Sequence, residues 1–452
     1  MSEQTSIKGK IKTLLEVFLP IFIAQIAFTS TGFFDTVMSG QAGEAQLAGV
    51  AVGTNIWTPV FVGMVGVIGG LTPIFAQRYG ARQMKALSAL FMQAIYMAVL
   101  MTAGVLLLGF LFVDVILAQM TLDREVERVA RGYLLAIGTG VLPIFIVSSM
   151  RNYIDAQGFT RISMLITLIC VPFNILMNWL FIFGKWGFPE LGGIGAGVAS
   201  SLMYWLALIL AVGVLRFLPP FKEQKVFRLP RPDVRAWIDE LKTGLPIGGS
   251  IFVEMSIFCV VGLLITEYGT SVIAAHQSAI NFSSFIYMIP LSIGSAMTIL
   301  VGFEVGAARN RDAKTYTRIG SVMALAIACC TAVSLMSFTR EVAGLYTSEE
   351  HLLPLLETFL VYAVFFQVSD AIAAPIQGAL RGYKDVTVTM IMAIIAYWVI
   401  GLPVGYLLAQ NGYDAYGYWI GFIAGIATSA LLLFLRLQYL QKNRFQGEAS
   451  VV

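Results

Sequence analysis

Long apolar runs separated by short polar breaks recur twelve times along the chain. They lie near residues 15–37, 51–75, 90–113, 132–154, 163–183, 194–215, 245–266, 279–302, 319–338, 358–380, 386–408 and 415–435. A helix needs roughly 20 apolar residues to cross the hydrocarbon core of a bilayer. Backbone polar groups find no water there, so such runs must close their hydrogen bonds within a helix, and they lack the two-residue alternation of a membrane barrel. Composition agrees: 12% of the 452 residues are charged and 58% are hydrophobic. An ordinary soluble domain carries about 25% charged residues, so a soluble globular fold and a disordered chain are both excluded. The reading is an all-α integral membrane protein with twelve transmembrane helices. The first run is too long for the core of a cleavable signal and is expected to remain as the first span.

Basic residues orient the spans. With both termini cytoplasmic, 24 of the 29 Lys and Arg fall on the cytoplasmic side and 5 on the other, as the positive-inside rule requires. The longest polar connection, 216–243, holds seven basic residues and four prolines. It separates an N-terminal six-helix lobe, 1–215, from a C-terminal one, 244–452. Its 233–242 portion is predicted to form a short amphipathic helix on the membrane surface.

The two lobes repeat each other. A shift of 226 residues places Leu19-Pro20 on Leu245-Pro246, Gly43 on Gly269, Asn55 on Asn281, Thr72 on Thr298 and Gly80-Ala81 on Gly306-Ala307. Further on the offset drifts, with Gly158 on Gly382 and Gly197 on Gly417. Six helices per lobe makes the repeat parallel, with its pseudo-twofold axis along the membrane normal. Two such bundles flanking a central cleft form a transporter architecture.

Three acidic residues lie inside spans, away from helix ends: Asp35, Glu254 and Asp370. A carboxylate near the bilayer centre costs roughly 2.5–3.5 kcal/mol on insertion scales and marks function by default. No Lys or Arg lies deep within a span to neutralise them (Arg151 falls in the last turn of its run), which leaves protons, a small cation or a cationic substrate as the partner. Under the 226 shift Asp35 falls on Val261 and Glu254 on Phe28, so the scaffold is repeated but its acidic sites are not. In the N-terminal lobe Asn174 and Asn178 share one helix face and, with Asp35 and Ser200, are expected to form an all-oxygen cage suited to Na⁺. In the C-terminal lobe Glu254 and Asp370 are expected to share a site. Two carboxyls in a low-dielectric pocket do not both ionise readily, so the pair holds a proton or a cation in its place. Pro375, just past Asp370, frees a carbonyl and is a candidate hinge.

Other chemistry finds little support. The net charge of +3 is too small to suggest a nucleic-acid partner, and neither a GxxxxGK[ST] phosphate loop nor a GxSxG motif occurs, which argues against an ATP-driven motor and against an enzyme. The two histidines, His276 and His351, have no metal-ligand partners in sequence, and His276 is read as a hydrogen-bonding residue at a helix entry. Cys170, Cys259, Cys329 and Cys330 fall inside apolar runs without paired spacing and are read as small core residues. No cofactor is expected beyond the coupling ion.

Several segments resemble the multidrug and toxic compound extrusion (MATE) transporters, in their NorM-like bacterial branch. These are LPIFIAQIAFTSTGFFDTVMSG at 19–40, LTPIFAQRYGA at 71–81, VPFNILMNWLFIFG at 171–184, ELGGIGAGVASSLMYW at 190–205, GTSVIAAHQSAIN at 269–281, VGFEVGAARN at 301–310 and VSDAIAAPIQGALRGYKD at 368–385. The resemblance implies a monomeric antiporter of the bacterial cytoplasmic (inner) membrane, with two lobes around a V-shaped cleft. It would exchange organic cation drugs and dyes for Na⁺ or H⁺. It assigns ion or proton coupling to Asp35, Asn174, Asn178 and Ser200 in one lobe and to Glu254 and Asp370 in the other. Related members often carry a tyrosine one turn before that aspartate. Here the position is Phe366, which offers a ring face to a cation but no hydroxyl, so proton coupling stays open. A flippase for lipid-linked saccharides shares the superfamily but would want a more cationic cleft; a channel or membrane enzyme is the remaining alternative.

Overall fold

The computed structural model describes residues 6–449, with side chains as far as residue 443. The expectation of cytoplasmic termini falls in part on residues 1–5, 450–452 and the Arg444 side chain, which lie outside the described residues. The order of helices is α1 (Ile7–Ala42), α2 (Glu44–Gly69), α3 (Leu71–Gly80), α4 (Met84–Gln119), α5 (Arg124–Gly138), α6 (Val141–Ala156), α7 (Thr160–Ile182), α8 (Gly193–Phe217), α9 (Phe221–Gln224), α10 (Val234–Leu264), α11 (Thr270–Gly306), α12 (Asn310–Ser337), α13 (Thr339–Tyr346), α14 (Leu353–Gly382), α15 (Val386–Ile394), α16 (Leu402–Leu408) and α17 (Asp414–Ala449). No strand occurs among the described residues.

These helices accommodate the twelve apolar runs. Ten continuous stretches of the described residues are long and apolar enough to span, with α2 and α3 forming one of them. The pair α5 and α6, bent by 47°, supplies an eleventh. The last continuous stretch, 386–443, is two passes, because Gly412 and Asp414 take positive φ values of 94° and 47° and turn the chain back. Close backbone approaches then pair Gly401 with Gly421 and Gly405 with Gly417, two pairs that share a midpoint at residue 411.

The bend between α5 and α6 has a specific cause. Pro143 has no N–H to give the carbonyl of Thr139 four residues back. The Trp205 indole donates to that carbonyl instead, at 3.2 Å, and the Ser201 hydroxyl donates to the Ala136 carbonyl at 2.6 Å. Between α15 and α16 the backbone widens into π-helical turns over Ile395–Gly401, just before Pro403, which likewise has no N–H for Val399.

The repeat is written into the backbone. Gly43 and Gly269, 226 apart, open α2 and α11 with φ of 139° and 93°. Arg82 and Ala308, again 226 apart, follow the ends of α3 and α11 with φ of 57° and 58°. The turn at Gly158 (φ 86°) answers to Lys384 (φ 61°), so the constant offset persists there and the expected pairing of Gly158 with Gly382 is corrected. Drift comes later: Gly192 (φ 56°, ψ −136°) matches Asp414 (φ 47°, ψ −137°), an offset of 222 where 220 was expected.

Packing divides the chain into two units, 23–248 and 249–452 together with 1–22. Against the expected N-terminal lobe of 1–215, residues 7–22 of α1 pack in the second unit and the connection 216–243 packs in the first. Phe221 is buried against Tyr153 and Phe159. Gln93 and Tyr96 donate to the carbonyls of Arg231 and Pro230 at 2.8 and 3.1 Å. The core of the first unit gathers around Phe75, Phe91, Phe145 and Tyr153, and that of the second around Phe359, Trp419 and Tyr418.

Two sequence readings change. Residues 234–242 are the opening turns of α10 and not a separate surface helix, because the apolar run continues through Pro246 without a turn. Of the four cysteines only Cys170 is buried; Cys259, Cys329 and Cys330 are exposed on helix surfaces, since apolar residues of a membrane helix have no need to face inward.

Candidate functional site

In the first unit the four residues expected to form an all-oxygen cage come together, with Asn178 presenting its NH₂, not its oxygen, to Asp35. Asn174 and Asn178 are one turn apart on α7, and α8 packs closely alongside it. A side chain at Gly195 would stand 2.6 Å from the backbone of Phe181, so only glycine lets α8 approach near enough to bring Ser200 opposite Asn178. Asp35 of α1 completes the group. The Asn178 amide donates to Asp35 Oδ1 at 2.6 Å and to Asn174 Oδ1 at 3.2 Å, and the Ser200 hydroxyl donates to Asp35 Oδ2 at 2.8 Å. All four side chains are buried. Among the described residues no ion pair reaches Asp35, and Asn178 Oδ1 has no hydrogen-bond partner. A carboxylate held only by neutral donors keeps its negative charge available to an incoming cation.

In the second unit Asp370 is buried on α14 and Glu254 is partly buried on α10. They lie close enough for their charges to act on each other. Tyr287 of α11 and Tyr397 of the π-helical turns feel both carboxyls. The expectation that no basic residue stands near these acids needs correction. Arg381, from the last turn of α14, acts electrostatically on Glu254, although no ion pair within 4 Å joins them among the described residues. Its place in sequence near a helix end hid it, because a residue there is expected to face the membrane surface.

Phe366 is committed elsewhere. Its buried ring packs edge-on against Phe258, Phe422 and Trp419 at centroid distances of 5.9, 6.2 and 6.3 Å. Pro375 lies inside α14 where that helix presses on α11. Thr298 of α11 donates to the carbonyls of Gly294 and Gly378 at 3.1 and 3.0 Å.

The chain matches the MatE family model twice, at residues 20–180 and 246–407. It belongs to the MatE family. The starts of the two matched segments stand 226 residues apart, the offset of the repeat. MatE relatives are close: the probable multidrug resistance protein NorM of Oceanobacillus iheyensis is 46% identical over 446 residues, covering 98% of this chain and 100% of the relative. That of Bacillus subtilis is 46% identical over 450 residues, covering 99% and 100%. The fold is shared with a solved outward-facing multidrug resistance MATE family transporter of the MOP superfamily, at 18% identity, TM-score 0.88 and coverage of 99% and 100%. It is also shared with a MATE protein in a bent conformation, at 18% identity, TM-score 0.89 and 97% of each chain.

Several residues near the acids of this MatE chain escaped the sequence. Tyr133 and Tyr204 lie within electrostatic range of Asp35. Tyr204 was legible, being one turn beyond Ser200 on α8; Tyr133, on α5, carried no signal. Further acids are buried besides Asp35 and Asp370. Asp155 pairs with Arg151 and Glu304 with Arg309, at 3.4 and 2.5 Å, while Glu240 is buried near the start of α10. His276, as read, serves a hydrogen bond: it accepts one from the Trp419 indole at 3.1 Å.

Proposed function

We propose that this MatE protein is a secondary antiporter of a bacterial cytoplasmic membrane that exports organic cations in exchange for Na⁺ or H⁺ by alternating access. The observation that carries the reading is Asp35, a buried carboxylate held by the neutral donors Asn178 and Ser200, with no ion pair among the described residues. A charge so placed wants a positive partner, and a mobile one serves transport where a fixed arginine would not. Relatives at 46% identity that bear the name of multidrug resistance proteins support the efflux direction and a substrate class broader than one compound.

Ion and drug then compete for carboxylate charge. One positive charge entering down a potential of 100 mV releases roughly 2.3 kcal/mol, which drives a cationic drug outward when a chemical gradient adds to it. The two halves carry different acids in different surroundings: Asp35 sits in a neutral amide-hydroxyl cage, and Glu254 and Asp370 form a mutually repelling pair under the field of Arg381. Two unlike sites on one repeated scaffold suit two unlike occupants.

The test is export of a fluorescent organic cation from proteoliposomes, driven first by a Na⁺ gradient alone and then by a pH gradient alone. Export under either gradient supports antiport and identifies the ion. Intact, correctly inserted protein that exports under neither refutes it.

A further inference from the structure

Beside Asp370 lies a small cavity between α11, α12 and α14, lined by Tyr287, Thr331, Gln367 and Asp370, with apolar residues such as Ile286 and Ile327 completing the wall. It has room for about one water-sized body. Gln367 stands one turn before Asp370 on the same face of α14. Its side chain is 5% exposed, yet its Nε2 has no hydrogen-bond partner. Buried amides are normally satisfied, so an idle one beside a carboxylate calls for an occupant.

The amide is chemically two-faced. Its NH₂ donates and its carbonyl oxygen accepts, and a half-turn about the last bond exchanges them. A dehydrated monovalent cation needs several oxygens at once, and the cavity offers Asp370, Tyr287, Gln367 and Thr331. The Thr331 hydroxyl spends its proton on the Ala328 carbonyl at 3.0 Å, leaving its oxygen able to accept.

We infer that Gln367 is a specificity residue for the coupling ion: its NH₂ is tied to no acceptor, so the amide is free to turn and present Oε1 to a dehydrated Na⁺ held by Asp370 in this one-occupant cavity. This rests on the antiporter reading and deepens it. A cavity of this size admits a bare small ion and excludes a hydrated one, so the amide oxygen stands in for lost water.

The experiment uses the full-length protein in proteoliposomes, with export of a fluorescent organic cation measured across Na⁺ concentrations and, separately, under a pH gradient. Gln367→Leu, of similar volume without the amide, is expected to raise the half-saturating Na⁺ concentration tenfold or more, a larger factor than any change in half-saturating drug. Gln367→Glu, which keeps an oxygen at the same reach, is expected to stay within threefold of wild type for Na⁺. A half-saturating Na⁺ concentration within twofold of wild type in Gln367→Leu overturns the proposal, and so does Gln367→Glu failing as badly as Gln367→Leu. If Gln367→Leu is not recovered as monodisperse protein, Gln367→Met carries the same expectation and the same refutation. Wild-type export under a pH gradient that ignores Na⁺ overturns the role of Gln367 and leaves antiport standing; wild-type export under neither gradient removes both.

Discussion

Asp35 meets the cost of burial with neutral donors only. A hydrogen bond to a charged group contributes about 1.5–3 kcal/mol, and the two from Asn178 and Ser200 orient the carboxylate without discharging it. Asp35→Asn preserves volume and removes the charge, so the protein is expected to insert and fold while gradient-driven export of an organic cation falls at least tenfold. Glu254→Gln and Asp370→Asn are expected to do the same from the other half. Normal export by all three variants in proteoliposomes would sink the assigned mechanism. Ser200→Ala removes one donor and leaves the charge, and a partial loss, smaller than that of Asp35→Asn, is the expected reading in the same assay. These roles were partly legible before folding. An acid amid an apolar run stands out because its burial cost has no local compensation. Tyr133, Tyr397 and Gln367 did not stand out, because aromatic and amide side chains are common in membrane helices and acquire meaning only from what a distant helix places beside them.

Helix breaks in this chain are compensated one carbonyl at a time. Pro143 deprives Thr139 of its donor, and the Trp205 indole replaces it from α8. Trp205→Phe is expected to lower stability by about 1 kcal/mol, the net worth of one hydrogen bond, read as a lower melting temperature in detergent. The crossing of α11 and α14 is tighter still. A methyl on Gly378 would come within 2.1 Å of the Gly294 carbonyl oxygen, and overpacking of this kind typically costs about 1–3 kcal/mol. Gly378→Ala is therefore expected to melt measurably below wild type, whereas Gly104→Ala, with nothing within 4 Å of the added carbon, should match it. Equal melting of the two variants would show that α11 and α14 yield freely at this crossing. Such contacts were invisible in sequence, where Gly378 and Gly104 look alike.

Across the molecule, one topology serves two halves with different chemistry. The 226-residue offset recurs in positive-φ turns at Gly43 and Gly269 and at Arg82 and Ala308, so the same path is drawn twice while the acids are placed once each. The charge asymmetry of the loops predicts a sidedness that labelling can read. In a variant free of the four native cysteines, a cysteine at Arg228 is expected to react with a membrane-impermeant thiol reagent only after the cells are permeabilised. One at Trp186, an exposed residue between α7 and α8, should react in intact cells. The reverse pattern would invert the molecule and the direction of export with it.

The sequence by itself determined the helical class, the number of passes, the repeat and the three candidate acids, because the hydrophobic length a bilayer demands and the cost of a charge inside it are set by each segment's own residues. Only the tertiary structure decided that α7 and α8 bring Asn178 and Ser200 to Asp35, that Glu254 lies in the field of Arg381, that Phe366 belongs to an aromatic cluster, and that Gln367 lines a cavity of one occupant. Those facts depend on which helix faces meet and how near small residues let them come. Neither quantity is carried by hydropathy, which measures how gladly a segment leaves water and says nothing of its neighbours.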